Sequence, residues 1–158
     1  MLVTAAARYA IRAVFDLAFY GDGKPVKIRD ISLRQGISER YLEQIFYKLL
    51  KAGLIKGKRG PRGGYVLDRD PSDITVSDLI NAIEGKPLVP VPVKCLSDDN
   101  HDGETCRIFD RCITRHVWKR THLLLEAYYT SVSVADLCSL ARVERISSEA
   151  EDVPLVFP

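Results

Sequence analysis

The chain has 158 residues, 46% of them hydrophobic and 28% charged, enough for one sizeable core or for a domain with an extension. No apolar run approaches the ~18 residues of a membrane helix, and the N-terminus lacks a signal peptide's long apolar stretch and cleavage site, so a cytoplasmic protein with no membrane contact is expected. The net charge of +2 is lopsided: residues 1–67 hold 13 Lys and Arg against 5 Asp and Glu, a net of +8, while residues 68–158 hold 10 against 16, a net of −6, so the N-terminal half has the balance that nucleic-acid binding requires.

Thr4 stands where it can cap a helix over residues 4–20, with Tyr9, Ile11, Val14, Phe15, Ala18 and Phe19 as its apolar surface. A Gly/Pro turn at 21–25 leads to Ile28–Gln35, which reads as the first helix of a helix-turn-helix closing at Gly36-Ile37. Ser38 is a candidate N-cap for the second helix, Glu39–Ala52, where Leu42, Ile45, Phe46, Leu49 and Leu50 fall at i, i+3, i+4, i+7 and i+8 on one apolar face. The other face carries Glu39, Arg40, Glu43, Gln44, Tyr47, Lys48 and Lys51, groups suited to base edges and phosphates, although a plain solvated face would look similar. Gly53 is placed to end this helix. Leu54-Ile55, a basic glycine-rich stretch from Lys56 to Gly64, and Tyr65-Val66-Leu67 then read as a β-hairpin, so the unit is a winged helix.

Thr75, with Asp78 at the third helical position, is expected to cap a short helix over Val76–Ile83 that Gly85 stops. Residues 86–94 hold three prolines and read as an extended connector. The loop to residue 112 carries Cys95, Cys106 and Cys112. A long helix over Ile113–Tyr129 presents Ile113, Val117, Trp118, Leu124, Leu125 and Tyr128, more apolar surface than an isolated helix can leave in water, which suggests dimerisation; the alternative is that it folds back on the head. Ser133, with Asp136, caps a last helix from Val134 to about Arg145. The expected architecture is mainly α with a small β-wing: a winged helix-turn-helix head at 1–85, linker and cysteine loop at 86–112, dimerisation helices at 113–146, and an acidic tail at 147–158.

Four cysteines in a cytoplasmic chain argue against a disulfide scaffold and leave metal, redox or buried roles open. Cys138, on the apolar run Val134-Leu137-Leu140, is expected to be a buried core thiol. Arg107, Arg111 and Arg115 would lower the thiolate pKa values of the loop cysteines. Trp118 and Tyr128-Tyr129 read as core rather than as a ligand cage, and His122 as a surface or interface residue. No base-plus-orienter set accompanies a cysteine, Cys112 near His116 included, so an enzyme is not expected.

Arg8-Tyr9-Ala10, Tyr41-Leu42-Glu43-Gln44, Arg59-Gly60-Pro61 with Gly63-Gly64-Tyr65, and Val134-Ala135-Asp136-Leu137 together resemble the IscR/NsrR-type winged-helix transcriptional regulators, many of which carry an iron–sulfur cluster. The resemblance covers most of the chain. It implies a homodimer on a palindromic double-stranded DNA operator, each reading helix in a major groove and each wing in the neighbouring minor groove. The DNA-binding set it implies is Ser38, Glu39, Arg40, Tyr41, Glu43, Gln44, Lys48, Arg59, Arg62 and Gly63. Glu43 can accept from a cytosine amino group, Gln44 can pair with adenine, and Arg59 suits a narrow, electronegative minor groove. Arg40 stands where iron–sulfur members often have a small polar residue.

The same resemblance implies a cluster on Cys95, Cys106 and Cys112, [2Fe–2S] in the first place and [4Fe–4S] as the alternative. The gap from Cys106 to Cys112 is the family's five residues, and that from Cys95 to Cys106 is ten instead of five, an insertion a loop absorbs cheaply. Arg115 stands where some members have a histidine ligand and Arg8 where others have an acid, leaving His116, His101, Asp16, water or an external thiol as the fourth ligand. A zinc site from the same thiols with His101 or His116, and a cluster-free repressor answering to a thiol, metabolite or protein partner, are the competing readings. The expected function is a regulator sensing redox, iron or nitric oxide status.

Overall fold

In the computed structural model of the protein the described residues are 3–85 and 112–148; Cys95, His101, Cys106, the Pro-rich connector and the acidic tail lie outside them. Thr4 opens α1 (Ala5–Gly21), its hydroxyl accepting from the Ala7 amide at 3.2 Å. Ala7, Ala10, Ala13, Val14 and Leu17 recur at helical spacing and are all buried. Because most of these are alanines, other elements approach α1 closely, and it becomes the central post of the fold.

α2 (Ile28–Gln35) ends at Gly36, which takes the left-handed conformation at φ 64°. Two residues later Ser38 restarts the chain as α3 (Glu39–Lys51), its hydroxyl accepting from the Tyr41 amide at 3.4 Å. Leu42, Ile45, Phe46 and Leu49 are buried; burying the Phe46 side chain alone is worth about 1.5–3 kcal/mol. Leu50, expected on this face, is 38% exposed. Eight residues from Leu42 leave it about 80° around the helix axis, beyond the neighbours that cover Leu42.

β1 (Ile55–Lys58) and β2 (Gly64–Leu67) form the antiparallel wing, with Lys56 opposite Val66, Gly57 opposite Tyr65 and Lys58 opposite Gly64. Val26 adds an isolated bridge to Tyr65, its amide 2.9 Å from the Tyr65 carbonyl. A Cβ at Gly64 would lie 2.5 Å from the Val26 carbonyl oxygen, so that bridge requires a glycine. The tip turns through a Gly63 N–H to Gly60 carbonyl bond of 2.8 Å.

α4 (Val76–Glu84) begins with a capping box: the Thr75 hydroxyl accepts from the Asp78 amide while the Asp78 carboxylate accepts from the Thr75 amide at 2.9 Å. α5 (Ile113–Ser131) and α6 (Val134–Ser148) follow, and Ser133 and Asp136 repeat the reciprocal pattern at the start of α6. The two capping residues face each other. Thr75 and Ser133 form an antiparallel bridge, with Val76 N–H to Val132 carbonyl at 2.9 Å and Val134 N–H to Ile74 carbonyl at 2.8 Å. This joint pins the α5–α6 corner to the head, α6 packs on α1, and Val134 and Cys138 enter the same buried cluster as Ile74, Leu79 and Ile80. Leu140, the last member of that apolar run, is 51% exposed. α5 itself buries none of its residues and leaves Ile113, Val117, Trp118, Leu123, Leu124 and Tyr128 exposed, so Trp118 and Tyr128 are not core within one chain. The result is a mainly helical winged helix; no described helix is long and apolar enough to cross a membrane.

Candidate nucleic-acid interface and cysteine site

The outer face of α3 follows from its inner one. With Leu42, Ile45, Phe46 and Leu49 turned into the core, Arg40, Glu43, Gln44, Tyr47, Lys48 and Lys51 are left to line one shallow open groove along the helix. Ser38, Glu39, Arg40, Glu43, Gln44 and Lys48 are all exposed, as base readout requires. Two members of the expected set also have work inside the protein. Tyr41 is half-buried, its ring edge-on to Tyr9 with centroids 5.8 Å apart. The Lys48 ammonium donates to the Ile83 carbonyl at 2.7 Å, tying the reading helix to the C-terminal end of α4.

Beside α3 stands the wing. Tyr65 packs edge-on against Phe46 of α3, centroids 4.8 Å apart, which fixes the hairpin's angle to the reading helix. Arg59 and Arg62 at the tip are exposed and have no ion-pair partner among the described residues. Gly63 permits the tip's closure, because a Cβ there would lie 2.4 Å from the Lys58 carbonyl oxygen.

A third group sets the tilt of the helix-turn-helix and was not anticipated from sequence. Asp16 of α1 is fully buried and accepts from Arg34 Nη2 at 2.6 Å, Arg34 Nε at 2.9 Å and Gln35 Nε2 at 2.9 Å. The Arg34 guanidinium lies 4.5 Å from the Tyr20 ring centroid, and Arg12 donates to the Gln35 side chain and backbone carbonyl. A buried carboxylate thus grips the last turn of α2 just before the Gly36 turn. The available signal was weak: Asp16 is the one acid of α1, set between Phe15 and Leu17, and a solvated aspartate would look the same in sequence. Asp16 is removed from the candidate cluster ligands, since both its oxygens are engaged and buried.

Of the three cysteines expected at the sensor, Cys112 is the one within the described residues. It is half-buried at the N-cap position of α5. The Thr114 hydroxyl, 3.1 Å from Sγ, then the Arg115 amide and the Arg115 charge hold its thiol below the ordinary cysteine range. Arg115 thereby takes the expected electrostatic role. Such a thiol fits a thiolate ligand for iron or zinc. His116 is exposed on the first turn of α5, while His122 sits 3.6 Å from Glu126 one turn along the same helix. Cys138 is buried as expected, and burial pushes its thiol up against the opposing pull of Arg142. No group of three or more His, Cys, Asp or Glu among the described residues could hold a metal; Cys95 and Cys106 lie outside them.

Comparison with known proteins gives a consistent set of relatives. The family model described as Rrf2, iron-dependent transcriptional regulator, matches residues 3–140. The HTH-type transcriptional regulator IscR of Aliivibrio salmonicida is 37% identical over 147 residues, 93% of this chain and 83% of that protein. Among solved structures, CymR, the global cysteine regulator of B. subtilis, superposes with a TM-score of 0.72 at 31% identity, covering 89% of this chain and 98% of that one. The T. potens IscR structure gives a TM-score of 0.69 at 32% identity over 98% and 94% of the two chains.

Proposed function

We infer the function from one premise: this chain belongs to the Rrf2 family of transcriptional regulators. It is a winged-helix transcriptional regulator and not an enzyme. Beyond that, we propose a cytoplasmic homodimer that reads a palindromic double-stranded DNA operator. Ser38, Glu39, Arg40, Tyr41, Glu43, Gln44 and Lys48 would work in the major groove, and Arg59, Arg62 and Gly63 in the minor groove. The observation that carries this reading is the open, polar stripe of α3 standing beside a wing whose arginines have no acidic partner among the described residues. The exposed apolar face of α5 supports pairing of two copies, since it is too large to leave in water.

We further propose that Cys95, Cys106 and Cys112 hold an iron–sulfur cluster, [2Fe–2S] rather than [4Fe–4S], which supplies sensitivity to redox, iron or nitric oxide status. The acidified Cys112 thiol at the start of α5 supports this, because it joins the cysteine segment directly to the helix that would set the spacing of two heads. Anaerobically isolated protein should be coloured and contain iron and sulfide. Cys95→Ala, Cys106→Ala and Cys112→Ala should each abolish both, and Cys138→Ala should not. Colourless protein that stays so after reconstitution would sink the cluster.

A second reading keeps the DNA half and replaces the cluster with a thiol switch or a metabolite or protein partner. The same Cys112 thiol favours it, as does the similarity to a structure described as a global cysteine regulator. Under this reading, DNA affinity should respond to a peroxide or disulfide challenge in metal-free protein and should lose that response in Cys112→Ala.

A further inference from the structure

On the face of the wing turned away from α3 lies a cleft of about 330 Å³ that none of the DNA-binding or sensing roles above uses. Its position follows from the strand register. Residues directly opposite in an antiparallel pair point to the same face, so Tyr65 and Gly57 face Phe46 of α3, while Lys56, Lys58 and Val66 face the other way. There Val66 and the C-terminal end of α1, at Leu17, form an apolar floor. The rim is cationic: Lys24 from the α1–α2 turn, Lys56 and Lys58 from β1, and Arg69 from the strand exit, with Asp70 as the one acid.

Most of this charge has no acid to meet. Lys56 is 2.9 Å from Asp68. Lys24, Lys58 and Arg69 have no ion-pair partner among the described residues. The Asp70 carboxylate is already used by Ser72, accepting from its amide at 2.9 Å and its hydroxyl at 2.6 Å, and these bonds hold its pKa below the ordinary range. Counting Asp68, which pairs with Lys56 from outside the lining, beside the rim's own Asp70, four cations against two acids leave a net of +2. Three separate segments therefore bring exposed cations to one concavity, and an anion seated between them would lower their mutual repulsion beyond what water and salt already screen.

We propose that this cleft is a phosphate-binding site. Lysine ammoniums grip phosphate oxygens as point charges and Arg69 can engage two of them at once. The cleft's volume falls at the lower end of small-ligand pockets, of about 300–1,000 Å³. Two sources carry this chemistry: a free phosphorylated small molecule, or a backbone phosphate of DNA lying along the outer side of the wing. The site goes beyond base reading by α3 and does not depend on it.

Calorimetric titration with inorganic pyrophosphate, and binding of a random-sequence duplex across a salt series, separate the sources. Both use the full-length protein, Lys24→Ala and Arg69→Ala variants, and Arg8→Ala, which removes the same charge outside the cleft, on α1. All three side chains are exposed, so the variants should fold. Saturable pyrophosphate binding that falls at least tenfold in Lys24→Ala and Arg69→Ala but not in Arg8→Ala identifies a free ligand. No pyrophosphate binding, with a log–log salt slope smaller by about 0.9 in the two cleft variants alone, identifies a DNA phosphate. If neither change occurs, or if Arg8→Ala matches the cleft variants, the proposal is overturned. Failure of the duplex to bind at all would count against the proposed function, and the pyrophosphate arm would still test the cleft.

Discussion

Arg34 closes on Asp16 with its whole guanidinium edge, Nη2 to Oδ1 at 2.6 Å and Nε to Oδ2 at 2.9 Å, and the carboxylate it holds has no exposed surface. One residue is in the C-terminal half of α1 and the other in the last turn of α2, so the pair fixes where the helix-turn-helix bends relative to the post that carries it. A buried charge costs several kcal/mol when left alone, which makes the arrangement all-or-none.

Arg34→Met should therefore destabilise the fold. The guanidinium side chain is 32% exposed, so the loss should fall below the 3–5 kcal/mol of a fully buried broken pair, at about 2–3 kcal/mol, or about 4–12 °C in melting temperature for a chain of this size. Adding Asp16→Leu removes the stranded carboxylate and should recover most of that loss. Thermal unfolding followed by circular dichroism reads both. A single variant as stable as the parent would mean that Gln35 alone satisfies Asp16.

Arg59 and Lys48 should separate two kinds of DNA contact. Arg59 stands at the wing with no ion-pair partner among the described residues, so Arg59→Ala should weaken operator binding by about 1–3 kcal/mol and relax preference for a narrow minor groove. Lys48 is a phosphate candidate whose ammonium also holds the Ile83 carbonyl. Lys48→Ala should weaken specific and non-specific duplexes alike, flatten the salt dependence, and lower stability by roughly 1 kcal/mol. Fluorescence anisotropy with both duplexes, paired with a melting curve, distinguishes them. Unchanged affinity in both variants would contradict the docking.

Local signals are legible in the chain and distant ones are not. Thr4, Ser38, Thr75 with Asp78, Ser133 with Asp136, and the left-handed Gly36 and Gly85 all act within about four residues, where a cap needs one side chain and one amide. That two of these caps, Thr75 and Ser133, would pair across 58 residues to form the joint holding α6 could not be seen, because a cap's sequence signature says nothing of what lies beside it. The same limit hid the Lys48 bond to Ile83, 35 residues away, and the Asp16–Arg34 grip, where a mid-helix aspartate looks no different from a solvated one. Of the candidate site, the α3 stripe and wing tip were legible through periodicity, and the cationic cleft behind the wing was not, since its residues come from three segments with no shared pattern.

α5 offers a direct test of pairing. Leu124 is 57% exposed on a helix with no fully buried residue within one chain, so Leu124→Glu should leave the monomer's helix content unchanged. If α5 joins two copies, the same substitution places a charge in an apolar interface and should convert the dimer to monomer by light scattering. Operator affinity should then fall at least tenfold, because the two half-sites are no longer bound together. A variant that remains dimeric would move the interface elsewhere.

The two described thiols should gain reactivity over different pH ranges, displaced to opposite sides of a free cysteine's. At Cys112 the Thr114 hydroxyl leads the causes that favour the thiolate, so its pKa lies below the ordinary range; at Cys138 burial leads and disfavours the charge, so its pKa lies above. Since the thiolate is the reacting form, alkylation of Cys112 should rise through a midpoint on the acid side of a free cysteine's, and that of Cys138 on the alkaline side. In metal-free, reduced protein, iodoacetamide at neutral pH should label Cys112 well before Cys138, as read by peptide mass spectrometry. Thr114→Val removes the leading stabiliser and should shift the Cys112 profile to higher pH without moving that of Cys138. Equal rates for the two thiols at neutral pH would show that the contacts at the head of α5 do not activate Cys112, and would remove the main support for a cluster-free thiol switch.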